Sequence, residues 1–397
     1  MKALRYERSI PRFAASRIAS TLRPGAGAKY GPLALVQNLG EVDKPGPGWI
    51  RVRPRLAGIC GSDLATTEGR SSRYFEPIVS FPFTPGHEVV GDLDDDRRVV
   101  IEPVLGCVAR GIEPVCRWCA AGDLGRCERI TFGRLKPGLQ SGFCCDTGGG
   151  WATAMVAHES QIHPVPNELS DEDAVLVEPT ACAIHGALAS GSVDGGLVAV
   201  IGAGSVGALV TAALTRWNRP AALIVAAKHP EQRALARAMG ATSVVDPGEL
   251  LRAVRRATGT LAIGDGDLER LAGGADVVID CVGSSATIAD ALAVVRPGGT
   301  IVLVGMPATV HLDLTPLWHR EIRLIGAYAY GVEPMVGRRR TFDLAFELAA
   351  SNRLGRLVSA RYPLHRYEDA LAHAGAAGRR GGVKICFDLR QEKDRTR

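Results

Sequence analysis

The chain has 397 residues, which is long for one domain and comfortable for two, and 46% of them are hydrophobic, so sizeable cores are expected. The formal net charge of +5 is small for this length, and the short arginine clusters lack the interleaved aromatic side chains of a nucleic-acid surface. The N-terminus has no signal-peptide apolar segment, and no apolar run reaches the length of a membrane span. The sequence therefore predicts a cytoplasmic protein. Its ten cysteines are expected to be thiols or metal ligands rather than disulfides.

The first part of the chain carries strand-like segments and then two polar turns. Segments 33–36 and 49–52 are rich in apolar residues and read as strands. A glycine turn follows, in which Cys60 and Ser62 offer a thiol and a hydroxyl two residues apart. Further on, a Pro-Gly turn delivers His87 and Glu88 into a valine run that is typical of a strand.

A helix is predicted over residues 171–189. Ser170 followed by Asp173 resembles a helix-capping box, with Asp in place of the usual Glu. This helix would carry a second carboxylate, Glu178, near its middle. Pro179 indicates that the helix is kinked or broken at that point.

Residues 191–327 alternate strands with helices. Strands are predicted at 197–201, 223–227, 276–280 and 300–304, with helices at 208–217, 230–239 and 286–295. This alternation favours a parallel sheet with helices on both faces. The remaining residues, 328–397, return to a mixed pattern that ends in a strand-like segment at 383–387.

One Cys, one His and one Glu are the right number of protein ligands for a catalytic zinc ion. Such sites take three protein ligands and leave a fourth position for water or substrate. Cys60 and His87 supply the first two, and either Glu88 or Glu178 supplies the third.

A glycine motif opens the first helix of the alternating region. The predicted strand 197–201 leads directly into Gly202-Ala-Gly204-Ser205-Val206-Gly207. In this pattern the first glycine permits a tight turn, the second lets the backbone approach a pyrophosphate, and the third lets helix and strand pack closely. The helix N-terminus then faces the anion, so dinucleotide binding is predicted.

These motifs, in this order, resemble the zinc-dependent medium-chain dehydrogenases, the superfamily of alcohol, polyol and threonine dehydrogenases. The resemblance covers nearly the whole chain and implies an α/β fold. A GroES-like, mainly β catalytic domain would occupy residues 1–181, a doubly wound Rossmann coenzyme domain 182–327, and residues 328–397 would rejoin the catalytic domain. Residues 9–29, roughly twenty in all, are extra relative to that pattern. They could cover the substrate cleft, form an interface or be surface decoration.

The resemblance also implies the activity: a zinc-dependent oxidoreductase, homodimeric or homotetrameric, that transfers hydride between NAD(P) and an alcohol, polyol or aldehyde. Family members use either the adjacent or the distant glutamate on zinc, and we favour Glu178 over Glu88. Ser62 would belong to the proton path. Further coenzyme contacts implied by the resemblance are Cys281, Val304, Gly305 and Lys384.

A second, structural zinc site is implied by a cysteine-rich lobe at about residues 103–130. Cys116, Cys119 and Cys127 match the last three ligands of the family's structural lobe. At the usual position of the family's first ligand, three residues before Cys116, this chain has Glu113. However, Cys107 ends a Pro-x-x-x-Cys segment of the kind that carries the first ligand in the family. We therefore expect an insertion in the lobe and a closed four-thiolate site, with a metal-free, degenerate lobe as the alternative.

Two departures from the family pattern bear on mechanism and coenzyme. Ala65 stands five residues after Cys60, where many members have a histidine that relays the substrate proton. Ala227 stands where NAD-dependent members have an aspartate for the ribose hydroxyls, and Lys228 follows it. NADP is therefore the favoured coenzyme.

Two other functions remain open from sequence. One is a zinc-independent quinone or enone reductase on the same fold, and the other is a non-catalytic protein that only binds the cofactor. The cysteine, histidine and glutamate motifs argue against both.

Overall fold

The computed structural model describes residues 1–22 and 25–392, with the side chain of Asp267 also left undescribed. The chain divides into two compact units. The first comprises Met1–Glu178 and Ala345–Arg397, and the second is Pro179–Leu344. From the sequence, the second unit was expected to span residues 182–327. In the structure it starts three residues earlier and ends 17 residues later.

The strands in chain order are β1 Ala3–Tyr6, β2 Leu33–Val36, β3 Trp49–Gly58, β4 Val89–Asp92, β5 Arg98–Ile101, β6 Met155–His158, β7 Ile162–Pro164, β8 Leu197–Ile201, β9 Ala222–Ala226, β10 Ser243–Val245, β11 Ala262–Ile263, β12 Arg270–Leu271, β13 Ala275–Asp280, β14 Val295–Leu303, β15 Arg323–Gly326, β16 Val332–Glu333, β17 Arg339–Arg340, β18 Val358–Tyr362 and β19 Lys384–Asp388. The α-helices are α1 Ile10–Leu22, α2 Gly27–Tyr30, α3 Gly61–Thr67, α4 Arg117–Ala121, α5 Asp171–Ala174, α6 Val177–Leu188, α7 Ser205–Ala213, α8 Pro230–Ala238, α9 Leu250–Thr258, α10 Ser285–Val294, α11 Thr315–His319, α12 Thr341–Asn352 and α13 Tyr367–Gly375. None of the described helices is long and apolar enough to cross a membrane.

The first unit is built on a seven-stranded sheet in the order β18-β19-β3-β4-β5-β7, with β6 also paired to β3. Strand β3 is antiparallel to both β4 and β19. The end of β3 therefore lies at the same edge as the starts of β4 and β19. That edge receives the residues just after β3, just before β4 and at the start of β19, which include the predicted zinc ligands.

The extra N-terminal residues fold as α1 and α2 on the first unit, apart from residues 23 and 24, which lie outside the described chain. The backbone N–H of Gly25 donates to Oε1 of Glu68 at 2.8 Å. Glu68 is the residue that ends α3, and α3 begins immediately after Cys60. The insertion is therefore anchored to the helix that follows Cys60.

The second unit is a six-stranded sheet in the order β10-β9-β8-β13-β14-β15, and every strand pairing in it is parallel. The strands predicted from the alternating pattern are all present. The order reverses direction between β8 and β13, the place where ligands bind in open parallel sheets. The glycine motif follows β8 and Cys281 follows β13, so both turns lie at that reversal.

Helix formation after residue 170 differs in detail from the prediction. Ser170 does cap α5, accepting a hydrogen bond from the Asp173 N–H, as the capping pattern indicates. The break comes between α5 and α6, before Pro179 rather than at it, because proline is tolerated in the first turn of a helix. Glu178 consequently lies in the first turn of α6 and not in the middle of a long helix.

Candidate metal sites and coenzyme turn

Cys60, His87 and Glu88 meet at one edge of the first unit's sheet. Cys60 follows β3 after Ile59, and Glu88 immediately precedes β4. One ligand atom from each of the three residues lies within 4.8 Å of the other two. His87 and Glu88 are buried and Cys60 is half-buried. A thiol, an imidazole and a carboxylate at this spacing form a donor set that fits zinc.

Asp63 orients two of these ligands. Its Oδ2 accepts a hydrogen bond from the Cys60 backbone N–H at 3.0 Å, and its Oδ1 lies 3.5 Å from Nδ1 of His87. Burial lowers the pKa of His87, but the Asp63 carboxylate raises it, and the net effect is a raised pKa. A carboxylate behind a metal-binding histidine fixes ring orientation and ligand basicity. Asp63 was not among the predicted site residues, although its spacing from Cys60 is that of a helix cap.

Glu88 is also in contact with a buried cation. The Lys384 ammonium forms an ion pair with the Glu88 carboxylate, and the two side chains are 2% and 1% exposed. Burial lowers the pKa of Lys384, but the charge of Glu88 raises it, and the net shift is upward. A Cβ atom at Gly58 would lie 1.8 Å from Oε2 of Glu88, so only glycine leaves room for this carboxylate.

The remaining predicted residues of this site lie on two helices. Glu178 is buried, with 4% exposed, but it is not in the group of mutually close ligands found among the described residues. Ser62 is half-buried in the first turn of α3, and its carbonyl accepts a hydrogen bond from Thr66 Oγ1. Ala65 is 6% exposed, so the position where a relay histidine is usual faces the interior.

The lobe cysteines form a second group of close ligands. The Sγ atoms of Cys107, Cys116, Cys119 and Cys127 all lie within 4.8 Å of one another. Cys107 Sγ and Cys127 Sγ are 3.7 Å apart, close to the value of about 3.8 Å expected for two thiolates on a tetrahedral zinc with bonds of about 2.3 Å.

Backbone donors surround these sulfurs. The N–H groups of Cys107, Cys116 and Arg129 donate to sulfur atoms of the group, each at 3.4 Å. Hydrogen bonding from Cys119 lowers the pKa of Cys127 to about 5, and the same hydrogen bond raises the pKa of Cys119. Burial raises the pKa of Cys107. Cys127 is therefore the thiol of this group that most readily becomes thiolate, the form that binds metal, and all ten cysteines are free of disulfides.

The glycine motif in the second unit has the geometry of a dinucleotide turn. Gly202 has a φ of +91°, and a Cβ atom there would lie 2.6 Å from Val282 Cγ2. A Cβ atom at Gly207 would lie 1.9 Å from the Gly202 carbonyl oxygen, so α7 packs against the turn only with glycine. Gly204 caps α7 with open space at its Cβ position, and Ser205 and Val206 form the helix's first turn.

Asp280 holds the neighbouring turns together. Its Oδ1 accepts hydrogen bonds from the N–H groups of Val282 and Gly283, at 2.8 and 3.1 Å. Its carbonyl oxygen accepts from the N–H groups of Val304 and Gly305, both at 2.9 Å. The turn that contains Cys281 and the turn after β14 are thus fixed to one residue at the end of β13. Residues of both turns were predicted as coenzyme contacts, whereas Asp280 was not.

The end of β9 is where a ribose-binding acid would stand. Ala227 is fully buried and Lys228 is exposed. Arg233 donates to the carbonyl oxygens of Ala227 and Lys228, at 2.9 and 3.2 Å, and pairs with Asp246. Arg233 therefore fixes the backbone under Lys228, which leaves Lys228 as the exposed cation next to Ala227.

Comparison with known proteins agrees with both units. A family model described as the alcohol dehydrogenase GroES-like domain matches residues 46–167, and one described as zinc-binding dehydrogenase matches residues 205–351. Sorbitol dehydrogenase of Bacillus subtilis (strain 168) is 28% identical over 342 residues, covering 82% of this chain and 86% of that protein. D-xylulose reductase A of Aspergillus oryzae is 28% identical over 316 residues, covering 77% and 80%.

Among solved structures, a protein from Sinorhizobium meliloti 1021 described as a zinc-binding dehydrogenase, bound to NADP, has a TM-score of 0.70 to this chain. It is 25% identical, and the match covers 98% of each chain.

The class of protein defined by this fold and these ligands is the metal-dependent dehydrogenases that use a nicotinamide coenzyme. Within that class, the chain belongs to the zinc-dependent medium-chain dehydrogenase/reductase superfamily. It is an oxidoreductase that transfers hydride between NAD(P) and an alcohol or carbonyl substrate, which confirms the activity that the resemblance implied.

Proposed function

We propose that this enzyme is a polyol dehydrogenase that prefers NADP and holds two zinc ions per chain. The observation that carries the proposal is the buried cluster of Cys60, His87 and Glu88. The polyol class is supported by the relatives: sorbitol dehydrogenase and D-xylulose reductase are each 28% identical over at least 77% of this chain.

Cys60 and His87 would hold the catalytic zinc, with Asp63 keeping the imidazole in position from behind. Bound there, a zinc ion would act as a Lewis acid on the oxygen of the substrate. The burial of His87 keeps bulk water away from the site and so strengthens its electrostatic interactions.

Glu88 is the third ligand in this proposal because, among the residues that the structure describes, it belongs to the group of mutually close ligand atoms and Glu178 does not. This choice departs from the sequence-based preference for Glu178. Lys384 competes for the Glu88 carboxylate, so the strength with which Glu88 binds a metal depends on Lys384. Glu178 remains the alternative ligand, and the two predict different mutant behaviour.

Ser62 would move the substrate proton. It is two residues after Cys60, in the first turn of α3, and its side chain is half-buried. Because residue 65 is alanine, the chain has no histidine relay at that point. We propose that Ser62 passes the proton to water or to the coenzyme ribose.

The coenzyme would bind at the glycine turn after β8, where the N-terminus of α7 receives the pyrophosphate. The bound nicotinamide would supply or accept the hydride. NADP preference is supported by Ala227 and Lys228, because no carboxylate at the strand end opposes a 2′-phosphate. The NADP-bound relative from Sinorhizobium meliloti is further support.

Two further parts of the proposal concern assembly and location. Strand β15 is at the edge of the second unit's sheet, and Leu324 within this strand is 38% exposed. Trp318, in the preceding helix α11, is 80% exposed. An exposed strand edge with apolar neighbours favours pairing with a second copy, as a homodimer or homotetramer. The ten cysteines, none of which is in a disulfide, support a cytoplasmic location.

Elemental analysis combined with a substrate panel tests this function. Fully loaded protein should contain two zinc ions per chain and should oxidise polyols faster with NADP than with NAD. Sorbitol, xylitol and a simple primary alcohol separate a polyol enzyme from a general alcohol dehydrogenase. Zinc-free protein that is fully active, or reduction of quinones without any alcohol oxidation, would contradict the proposal.

A further inference from the structure

Arg110 is a fully buried cation inside the cysteine lobe. It follows Cys107 by three residues, lies in the expected insertion, and is 0% exposed. Its guanidinium donates hydrogen bonds only to backbone carbonyl oxygens among the described residues. The acceptors are Leu105 at 3.1 Å, Phe132 at 3.2 Å, Leu135 at 3.3 Å, Lys136 at 3.3 Å, and Gly138.

These carbonyl groups satisfy the donors of Arg110, but they do not cancel its charge. A buried charge without a compensating partner is costly, and the cost is usually met by an opposite charge nearby. Burial lowers the pKa of Arg110, while negative charge on Cys144, Cys127, Asp146 and Cys107 raises it. Two of those four groups, Cys127 and Cys107, belong to the four-cysteine group, and the backbone N–H of Arg110 donates to the Cys107 carbonyl oxygen at 3.1 Å. The compensating charge therefore comes in part from the metal ligands and in part from Asp146.

The four-cysteine group has the complementary need. Four thiolates outweigh the charge of one zinc ion, so a closed site of this kind is a buried net negative charge. Within the described chain, its sulfurs accept hydrogen bonds from backbone N–H groups, which lessen this charge without neutralising it.

We propose that Arg110 is the internal counter-cation of the four-cysteine zinc site and braces residues 132–138 against it, so that retention of the structural zinc depends on Arg110. This inference rests on the structural zinc of the proposed function. Arg110 is a positioning residue, because it acts on the ligands and not on the metal. Its forked guanidinium reaches five carbonyl groups at once, which a lysine ammonium cannot do.

The second unit supplies a matched control. Arg320 is also buried, with 7% exposed, and it also donates to backbone carbonyl oxygens. Its acceptors are Leu271 at 2.9 Å, Gly273 at 3.3 Å, Leu292 at 3.0 Å and Val295 at 2.6 Å. Burial lowers the pKa of Arg320 and Arg270 lowers it further, with no contribution from cysteine. Replacing Arg320 therefore removes a buried arginine without touching a thiolate site.

The experiment measures zinc release from the lobe alone. Full-length Cys60→Ala protein, which lacks one catalytic ligand, is loaded with zinc, and transfer of the metal to a chromogenic chelator is followed over time. Arg110→Met should release zinc about tenfold faster or more, the usual effect of losing a second-layer partner. Arg110→Lys should lie between parent and Arg110→Met, because it keeps the charge and loses the fork. Arg320→Met should release zinc at the parent rate even though it lowers the unfolding midpoint.

The outcomes separate this inference from the function on which it rests. Equal release rates for Arg110→Met and Arg320→Met would overturn the role of Arg110 and leave the structural zinc in place. Release from Arg110→Lys as fast as from Arg110→Met would overturn the counter-cation role, since lysine retains the charge. Cys60→Ala protein that binds no zinc at all would overturn the structural zinc and this inference together. If Arg110→Met does not fold, the comparison of Arg110→Lys with Arg320→Lys carries the test.

Discussion

Lys384 and Glu88 form an ion pair shielded from water, although nearly three hundred positions separate them in the sequence. Lys384 opens β19, in the C-terminal segment that belongs to the first unit, and Glu88 stands at the entry to β4. The resemblance gave Lys384 a role in coenzyme binding. In the structure its ammonium pairs with the carboxylate of Glu88, beside Cys60 and His87, and its contact with the coenzyme stays a prediction.

Lys384→Met should destabilise the zinc-stripped protein by about 3–5 kcal/mol, because it leaves a buried carboxylate without its partner. Denaturant unfolding followed by circular dichroism measures this change. The double variant Lys384→Met/Glu88→Gln should recover much of the loss, since neither charge then remains. A single variant as stable as the parent would mean that water reaches Glu88 after all.

Removing one cysteine from each metal site should affect activity in one case and stability in the other. Cys60→Ala should abolish activity and lower the zinc content from two ions to one, with little change in the thermal midpoint. Cys119→Ala should also lose one zinc ion, but with a large fall in stability, because structural zinc contributes folding free energy directly. Elemental analysis and calorimetry on the same preparations check both. One zinc ion or fewer in fully loaded parent protein would count against the two-site assignment.

The third catalytic ligand is distinguished by paired substitutions. Glu88→Gln should weaken catalytic zinc retention about tenfold or more, whereas Glu178→Gln should leave zinc retention close to that of the parent. Competition with a chelator measures the release rate of the catalytic zinc, while the four-cysteine lobe is left unchanged. The reverse order of effects would restore the sequence-based choice of Glu178.

Local patterns predicted much of this protein. The strand–helix alternation identified the parallel sheet, and the glycine spacing identified the turn after β8, because both depend on neighbours in sequence. The helix break was placed at Pro179, yet it comes earlier, since backbone hydrogen bonding in the first turn does not need the proline N–H. Asp63 could have been recognised from its capping distance to Cys60.

Contacts between segments far apart in the chain could not be predicted from local sequence patterns. The pairing of Lys384 with Glu88 depends on β19 joining β3, which no local pattern reports. The burial of Arg110 depends on how residues 132–138 wrap around it. The anchoring of α1 and α2 depends on Glu68, a residue whose sequence context gives no sign of a partner at Gly25.

Ser62→Ala should lower kcat about a hundredfold, the usual loss when a positioned proton-transfer group is removed. Steady-state kinetics over a range of pH measures it, with Ser170→Ala as the control. That control removes a helix cap and should cost about 1 kcal/mol of stability with no change in kcat. Full activity in Ser62→Ala would reduce Ser62 to a turn residue.

Ala65→His should destabilise the protein instead of adding a relay, because Ala65 is 6% exposed.

Coenzyme choice should depend on Lys228. The side chain is exposed at the end of β9, next to a buried alanine, so a 2′-phosphate bound there would meet a cation and no carboxylate. A hydrogen bond to a charged group contributes about 1.5–3 kcal/mol, so Lys228→Ala should reduce kcat/KM for NADP by about 10- to 100-fold. The value for NAD should hardly change, because that coenzyme has no phosphate at the 2′ position.

The control for this substitution is Arg237→Ala, which removes the same charge from the last turn of α8. If Lys228 contacts the phosphate, Arg237→Ala should leave the NADP/NAD ratio unchanged. The preference of the parent should also fall as salt is raised, since an exposed ion pair is screened within about 10 Å at 0.1 M ionic strength. Equal or better kcat/KM with NAD in the parent would overturn the NADP assignment. A preference for NADP that survives Lys228→Ala would keep the coenzyme and transfer the recognition to another residue, for which His229, the N-cap of α8, is the next to replace.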